Sequence, residues 1–213
     1  MFICYIINQS ISLERNFNEN MKKVVLFLAI IIVFSFDGYS QQSKSQFRDI
    51  ASWTVSVGVN AVGSLGTRNP FKRVDEFEFS QPLAVAVQHK WSRYFGIEQD
   101  ITLNKFKTES VIDNGSVSKD FTYFSTNTYV KYYFSEELFP ETPWVNLYVG
   151  SGLGLFTVDE LNGSVNFVLG GIYWINADIG ISFQGVSKFA FNHKDERYAT
   201  NHFQYMLSAI FKL

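Results

Sequence analysis

Cysteine is almost missing from this chain. The one example, Cys4, precedes an apolar run, so everything after that run is thiol-free. This excludes a disulfide framework and a thiolate metal site, and Cys4 stands on the wrong side of the run for a lipoprotein anchor. Histidine is scarce too. His89, His193 and His202 are scattered at spacings that fit no common ligand motif, so no metal site is expected. Neither sign of charge dominates: 18 basic against 20 acidic residues give a formal charge of −2, which is neither a nucleic-acid binder nor an acidic tail. With 4 prolines and 18% charged residues the composition is not that of a disordered chain. No glycine-rich loop is followed by Lys-Ser/Thr, so nucleotide binding has no support and no cofactor is expected.

What is abundant is aromatic and apolar: 22 Phe, 11 Tyr and 46% hydrophobic residues. The longest apolar run, Val24 to Phe34, is about 11 residues, short of the roughly 20 that a spanning helix needs. Lys22 and Lys23 precede it, and Gly38 and Ser40 follow at small-x-small spacing. These are the parts of a cleavable signal peptide over 21–40, with cleavage after Ser40. Met21 directly precedes the two lysines, so translation is expected to start there, with residues 1–20 a mis-called N-terminal extension. Residues 41–52 are polar and read as a periplasmic lead-in. From Trp53 to Leu213 there is no linker, no repeat and no sustained helical periodicity.

That stretch alternates with period two, which reads as strands. Eight segments stand out: about 53–62, 83–91, 95–107, 121–134, 145–157, 165–174, 179–189 and 202–213. Trp53, Val55, Val57 and Val59 alternate with Thr54, Ser56, Gly58 and Asn60, and the others follow suit. Segments of about 9–14 residues exceed the roughly 5–6 of soluble strands and suit a tilted membrane crossing. The links alternate as well. Ser92–Tyr94, Ser135–Trp144 and Ile175–Asp178 form a periplasmic set. Gly63–Pro82, Thr108–Asp120, Val158–Ser164 and Ala190–Asn201 form an outer set, mostly longer and polar. Short turns on one side and long loops on the other mark transmembrane barrels. Trp53, Trp91, Tyr94, Phe95, Phe134, Trp144, Tyr173 and Trp174 cluster near the periplasmic ends, where a headgroup belt belongs. The fold expected over 53–213 is all-β: an eight-stranded antiparallel up-and-down transmembrane barrel in a Gram-negative outer membrane.

The segment Trp53–Gly63 (WTVSVGVNAVG), Asn69-Pro70-Phe71, Leu103-Asn104-Lys105, Gly150–Gly154 and the stretch from Gly170 to Gly180 resemble the barrel of Bacteroidetes OmpA-like and OmpX-like outer membrane proteins. The resemblance implies an outer membrane barrel. It also departs from relatives that continue into a peptidoglycan-binding domain, since Phe211-Lys212-Leu213 closes the eighth segment, so barrel only is expected. An apolar terminal residue resembles the signal read by the outer-membrane insertion machinery, although Leu213 stands where relatives usually carry Phe.

Eight strands leave an interior that side chains fill. Lys90, Glu98, Asp100, Lys131, Lys188 and Lys212 fall on inward positions and are expected to form a polar lumen network, with Lys90 near the Glu98/Asp100 pair. Glu98 and Asp100, about 7 Å apart by strand rise, are read as salt-bridging rather than catalytic. The glycines of Gly150–Gly154 are read as small inward residues, not a phosphate loop. His202 is placed inward near Ser187 or Ser182, and His89 outward. A serine–histidine–acid site has no other support, so no catalytic residue and no enzyme activity are expected. Arg68, Phe71, Lys72, Arg73 and Phe77 in the first outer loop mix charge with aromatics and are the candidates for loop-mediated interaction. The expected role is structural, supporting envelope integrity or displaying loops. A narrow channel, a subunit of a larger outer membrane complex joined through the barrel wall, and a lipid A-modifying enzyme are the alternatives. Expected partners are outer membrane lipids and lipopolysaccharide, the insertion machinery during assembly, and a protein bound at loops or wall; nucleic acid is not.

Mass spectrometry of the protein extracted from membranes should find a mature N-terminus at Gln41. A peptide spanning Asn8 to Asn20 would contradict the internal start.

Overall fold

The computed structural model describes residues 51–63, 77–108, 111–112, 115–116, 119–191 and 200–213. The proposed extension, signal peptide and nearly all of the lead-in lie outside the described residues, as do Arg68, Phe71, Lys72, Arg73 and His193.

Eight long strands close on themselves: β1 (Ser52–Gly63), β2 (Leu83–Lys90), β3 (Phe95–Phe106), β6 (Phe121–Tyr133), β7 (Val145–Thr157), β8 (Leu161–Trp174), β9 (Ile179–Ala190) and β10 (His202–Lys212). All neighbours are antiparallel, and β1 pairs with both β2 and β10, which removes the open edge. Between β3 and β6 lies a small separate hairpin, β4 (Val111–Ile112) and β5 (Gly115–Ser116). One helical turn, α1 (Ser135–Leu138), fills the longest link at the other end.

The expected parity holds strand by strand. On β3, Phe95, Ile97, Ile101 and Leu103 are exposed while Gly96, Glu98, Asp100, Thr102 and Asn104 are buried. The outer wall is strongly apolar: Leu153 is 63% exposed, Leu169 62% and Phe183 55%. Left in water, that many bare aliphatic and aromatic groups would drive association. Facing hydrocarbon, they cost nothing.

Two expectations need correction. The proposed outer loop Val158–Ser164 is a tight turn of residues 158–160, because β8 starts at Leu161. Asn162 and Ser164 read as loop residues by composition, but they face a polar lumen, where such side chains belong on a strand. Trp174 is not part of the aromatic belt. Tyr173 points outward, so its neighbour points inward, and Trp174 is 3% exposed with Lys212 Nζ 4.8 Å from its ring. The other belt residues hold their place: Trp53 stacks on His89 at 4.4 Å, and Trp91 lies parallel to Phe95 at 6.4 Å. His89 thus faces outward, as expected.

Glycine is obligatory where β6 and β7 approach. A Cβ on Gly152 would sit 1.8 Å from the Thr128 carbonyl oxygen, so the backbone itself would have to move. On Gly171, which faces outward, a Cβ would press on the movable end of the Leu147 side chain at 2.9 Å and reach the Asn146 carbonyl only at an ordinary 3.6 Å. Gly152→Ala should therefore destabilise the barrel by about 3 kcal/mol or more, read as lost trypsin resistance in isolated membranes. Gly171→Ala should retain it. Equal resistance in both variants would contradict the packing.

Candidate functional site: the barrel lumen and its two ends

The lumen is built from the inward positions of all eight strands, and it is layered. Toward the loop end, Val62, Phe106, Phe121, Tyr123, Phe156, Val158 and Ala190 form an apolar and aromatic layer. His202 is set into it, in edge contact with Phe156 (4.6 Å) and Tyr123 (5.5 Å). Its Nδ1 lies 2.8 Å from the Thr200 carbonyl and its Nε2 lies 2.8 Å from the Tyr123 hydroxyl. A carbonyl only accepts, so in the neutral ring Nδ1 carries the proton and Nε2 accepts from Tyr123. This corrects the expected surroundings of His202. Ser187 faces outward, opposite Phe203, and Ser182 lies 3.5 Å from the Tyr148 hydroxyl.

Beneath this layer lies the charged interior. Lys131 and Glu98, 1% and 6% exposed, form an ion pair at 2.5 Å. Lys131 Nζ also donates to Gln184 Oε1 (3.1 Å) and lies 4.1 Å from the Tyr148 ring centre. Tyr148 in turn donates to the same Gln184 oxygen at 2.7 Å. Asp100 and Lys188 are linked through an amide rather than directly. Asn127 donates to Asp100 Oδ1 (2.5 Å) and its oxygen accepts from Lys188 Nζ (3.1 Å) and from Asn166 (2.9 Å). Lys188 also donates to Ser125 Oγ. The four buried charges therefore sum to zero, two of each sign. Neutrality matters here, since an isolated ion screened from water costs several kcal/mol.

The structure thus brings together Glu98, Asp100, Lys131 and Lys188. Lys90 and Lys212 lie nearer the turn end. Lys90 Nζ is 4.6 Å from the Tyr133 ring centre, and the ion pair of Glu98 is made by Lys131, one strand over on the other side from Lys90. Missed by sequence reasoning were the tyrosines Tyr129, Tyr133 and Tyr148, buried within the lumen. Tyr129 and Tyr148 fall on the inward parity of their strands, but were not counted in the lumen network. Glu98 Oε1 and Asp100 Oδ2 have no protein partner among the described residues, and both side chains line a cavity with room for about one water molecule. A second cavity of the same size lies at the turn end, beside Lys90, Tyr133, Trp174 and Lys212.

At the loop end, the start of the chain's return from the first loop is fastened to the rim. Val62 and Glu78 bridge backbones (2.8 and 3.2 Å), and Asn104 donates to the Glu78 carbonyl at 2.9 Å. Phe77, the one described member of the proposed loop-interaction set, packs on Tyr205 at 5.4 Å. Nearby, Lys105 pairs with Asp120 at 2.7 Å. That ammonium, with the Thr108 N–H and hydroxyl, holds the Asp120 carboxyl below the usual carboxylate range.

No protein-family model matches the sequence, and no curated protein matches it. Solved structures do match by shape. The crystal structure of Neisserial surface protein A (NspA) superposes with a TM-score of 0.51 at 16% identity, over 78% of this chain and 99% of that one. The outer membrane protein OprG from Pseudomonas aeruginosa gives 0.51 at 12% identity, over 79% of this chain and 98% of that one. At such identities the likeness is one of fold, and the fold is that of outer membrane barrels.

Lys131→Met should cost about 3–5 kcal/mol, because Glu98 is left charged and buried without its partner. Adding Glu98→Leu should recover much of the loss. The urea midpoint of the refolded protein in lipid measures both, and a single variant as stable as the parent would contradict the paired lumen.

Proposed function

We propose that the chain is a non-enzymatic outer membrane barrel whose lumen is a structural plug, and that its work is done at its ends and on its wall. The observation that carries this reading is the neutral, hydrogen-bonded interior under an aromatic layer. Charges at 1–6% exposure are ion-paired (Glu98–Lys131) or bridged through an amide (Asp100–Asn127–Lys188), which supports a structural rather than a chemical role. Among the described residues, the cavities beside Glu98 and Asp100 and beside Lys90 and Lys212 each hold about one water, which supports a plug over an open channel.

On this reading the turn end, with Trp53, Trp91, Tyr94 and Trp144 exposed, faces the periplasm, and the loop end faces outward. A signal peptide at 21–40 delivers the chain, and the insertion machinery assembles it by its last strand. Lys107 and Lys119, exposed near the loop-end rim, suit lipopolysaccharide phosphates, by charge attraction. The rim fastening of residues 77–80 gives the first outer loop, with Arg68, Phe71, Lys72 and Arg73, a fixed base from which to meet a protein partner. Loops held by a rigid scaffold are where binding residues concentrate.

Planar-bilayer recording separates a plug from a pore. The plug reading predicts a silent membrane after insertion. Discrete, reproducible conductance steps would overturn it in favour of a narrow channel.

A further inference from the structure

The outer wall carries single polar residues such as Ser187, but at one place polar residues cluster. Outward positions on the strands are overwhelmingly Val, Ile, Leu and Phe, yet at mid-height on three neighbouring strands they are polar: Gln99 on β3, Thr126 and Thr128 on β6, and Ser151 on β7. Gln99, Thr128 and Ser151 are exposed and Thr126 is half-buried. Register sets Gln99 opposite Thr128, and Ser151 opposite Val130, diagonal to Thr128. Ile97, Ile101, Val130 and Leu153 frame the patch, all exposed.

The hydrogen bonds within it are one-sided. Gln99 Nε2 donates to Thr126 Oγ1 (2.7 Å) and to the Asp100 carbonyl (3.3 Å). Thr126 donates to the same carbonyl (3.1 Å), and Thr128 donates to Gln99 Oε1. The donors of this cluster are used up, and what remains is acceptor capacity on Gln99 Oε1 and Thr128 Oγ1. Ser151, one strand further on, brings the opposite: its hydroxyl is a donor that makes no hydrogen bond among the described residues. Hydrocarbon can satisfy neither.

Donor and acceptor also lie at nearly the same depth. Rows of paired residues climb away from the turn end along the chain order. The row that starts at Phe95 beside the β2–β3 turn passes Tyr132, Val149, Leu169, Gly185 and Tyr205 and arrives at Ala61, next to the first outer loop. The row of Gln99 and Thr128 likewise reaches Leu153 higher on β7. Ser151 is two residues back toward the turn end from Leu153, which returns it to the level of Gln99.

We infer that this patch is a contact between two copies of the chain within the membrane, related by a two-fold axis along the membrane normal that passes through β6. Both copies keep the same orientation across the bilayer. Each Ser151 hydroxyl donates its one proton to Gln99 Oε1 of the other copy. A second copy is the occupant that matches, because a two-fold contact needs a self-complementary surface, and this one carries a donor and acceptors at one depth on either side of a central strand. Small hydroxyl side chains permit close approach and supply hydrogen bonds between spans. The inference rests on the transmembrane reading.

The test is disulfide cross-linking in isolated outer membranes, with the full chain carrying Cys4→Ser. Val130→Cys places a thiol beside the axis and leaves Gln99, Thr126, Thr128 and Ser151 unchanged. Leu207→Cys places one on β10, across the barrel. Oxidation should give a band of twice the monomer mass from Val130→Cys and none from Leu207→Cys. Adding Gln99→Leu and Ser151→Ala should abolish that band while the boiling-dependent gel shift of the monomer persists. With the gel shift intact, the pairing is overturned by no dimer from Val130→Cys, by equal dimer from both positions, or by a product whose mass shows a different partner. A chain with no gel shift overturns the transmembrane reading, and the pairing with it.

Discussion

The pairing of β1 with β10 is the constraint from which everything else follows. Ten consecutive residues of β1, Thr54 to Gly63, find partners on β10, and the seam continues past the strand ends: Leu213 N donates to the Trp53 carbonyl at 3.0 Å. In hydrocarbon an unpaired backbone group has nowhere to turn, so a sheet crosses a membrane only when closed. Closure at eight strands then fixes the interior width, and that width leaves room for side chains but scarcely for water.

The two faces of the wall answer to opposite rules because of that closure. Outward residues meet lipid, so Leu153 and Leu169 are mostly bare and gain by it. Inward residues meet only each other, so Lys131 and Lys188 are acceptable because Glu98 and the Asn127–Asp100 link meet them. The glycines of β7 serve the same geometry from the inside, where Gly150, Gly152 and Gly154 let tyrosine, asparagine and lysine from β6 fit a narrow bore. An interior used this way is a frame that holds the closed sheet open to a fixed width.

Much of this was legible in the sequence, for a physical reason. Period-two alternation with a lipid-facing side and a polar inner side is the same signal over its whole length, so strands, parity and the inward placing of Glu98, Asp100, Lys131 and Lys188 could be read directly. The misreadings arose where composition was allowed to outweigh parity. Asn162 and Ser164 look like loop, and Trp174 looks like belt, but strict alternation from Tyr173 and Val165 places each of them inside. Partner choice was not legible. That Glu98 meets Lys131 depends on register and on side-chain reach, and the role of Asn127 as the bridge between Asp100 and Lys188 needs three strands in place at once.

The claim that the rest depends on is a closed barrel that persists in a lipid-like environment. It is tested most directly by refolding the full chain in detergent and comparing unboiled and boiled samples by gel mobility, with circular dichroism alongside. The account predicts a strand-dominated spectrum and a band whose mobility changes on boiling, as a closed hydrogen-bonded sheet resists the gel detergent until heated. A chain that stays dissolved without detergent and runs at one position in both lanes would contradict it.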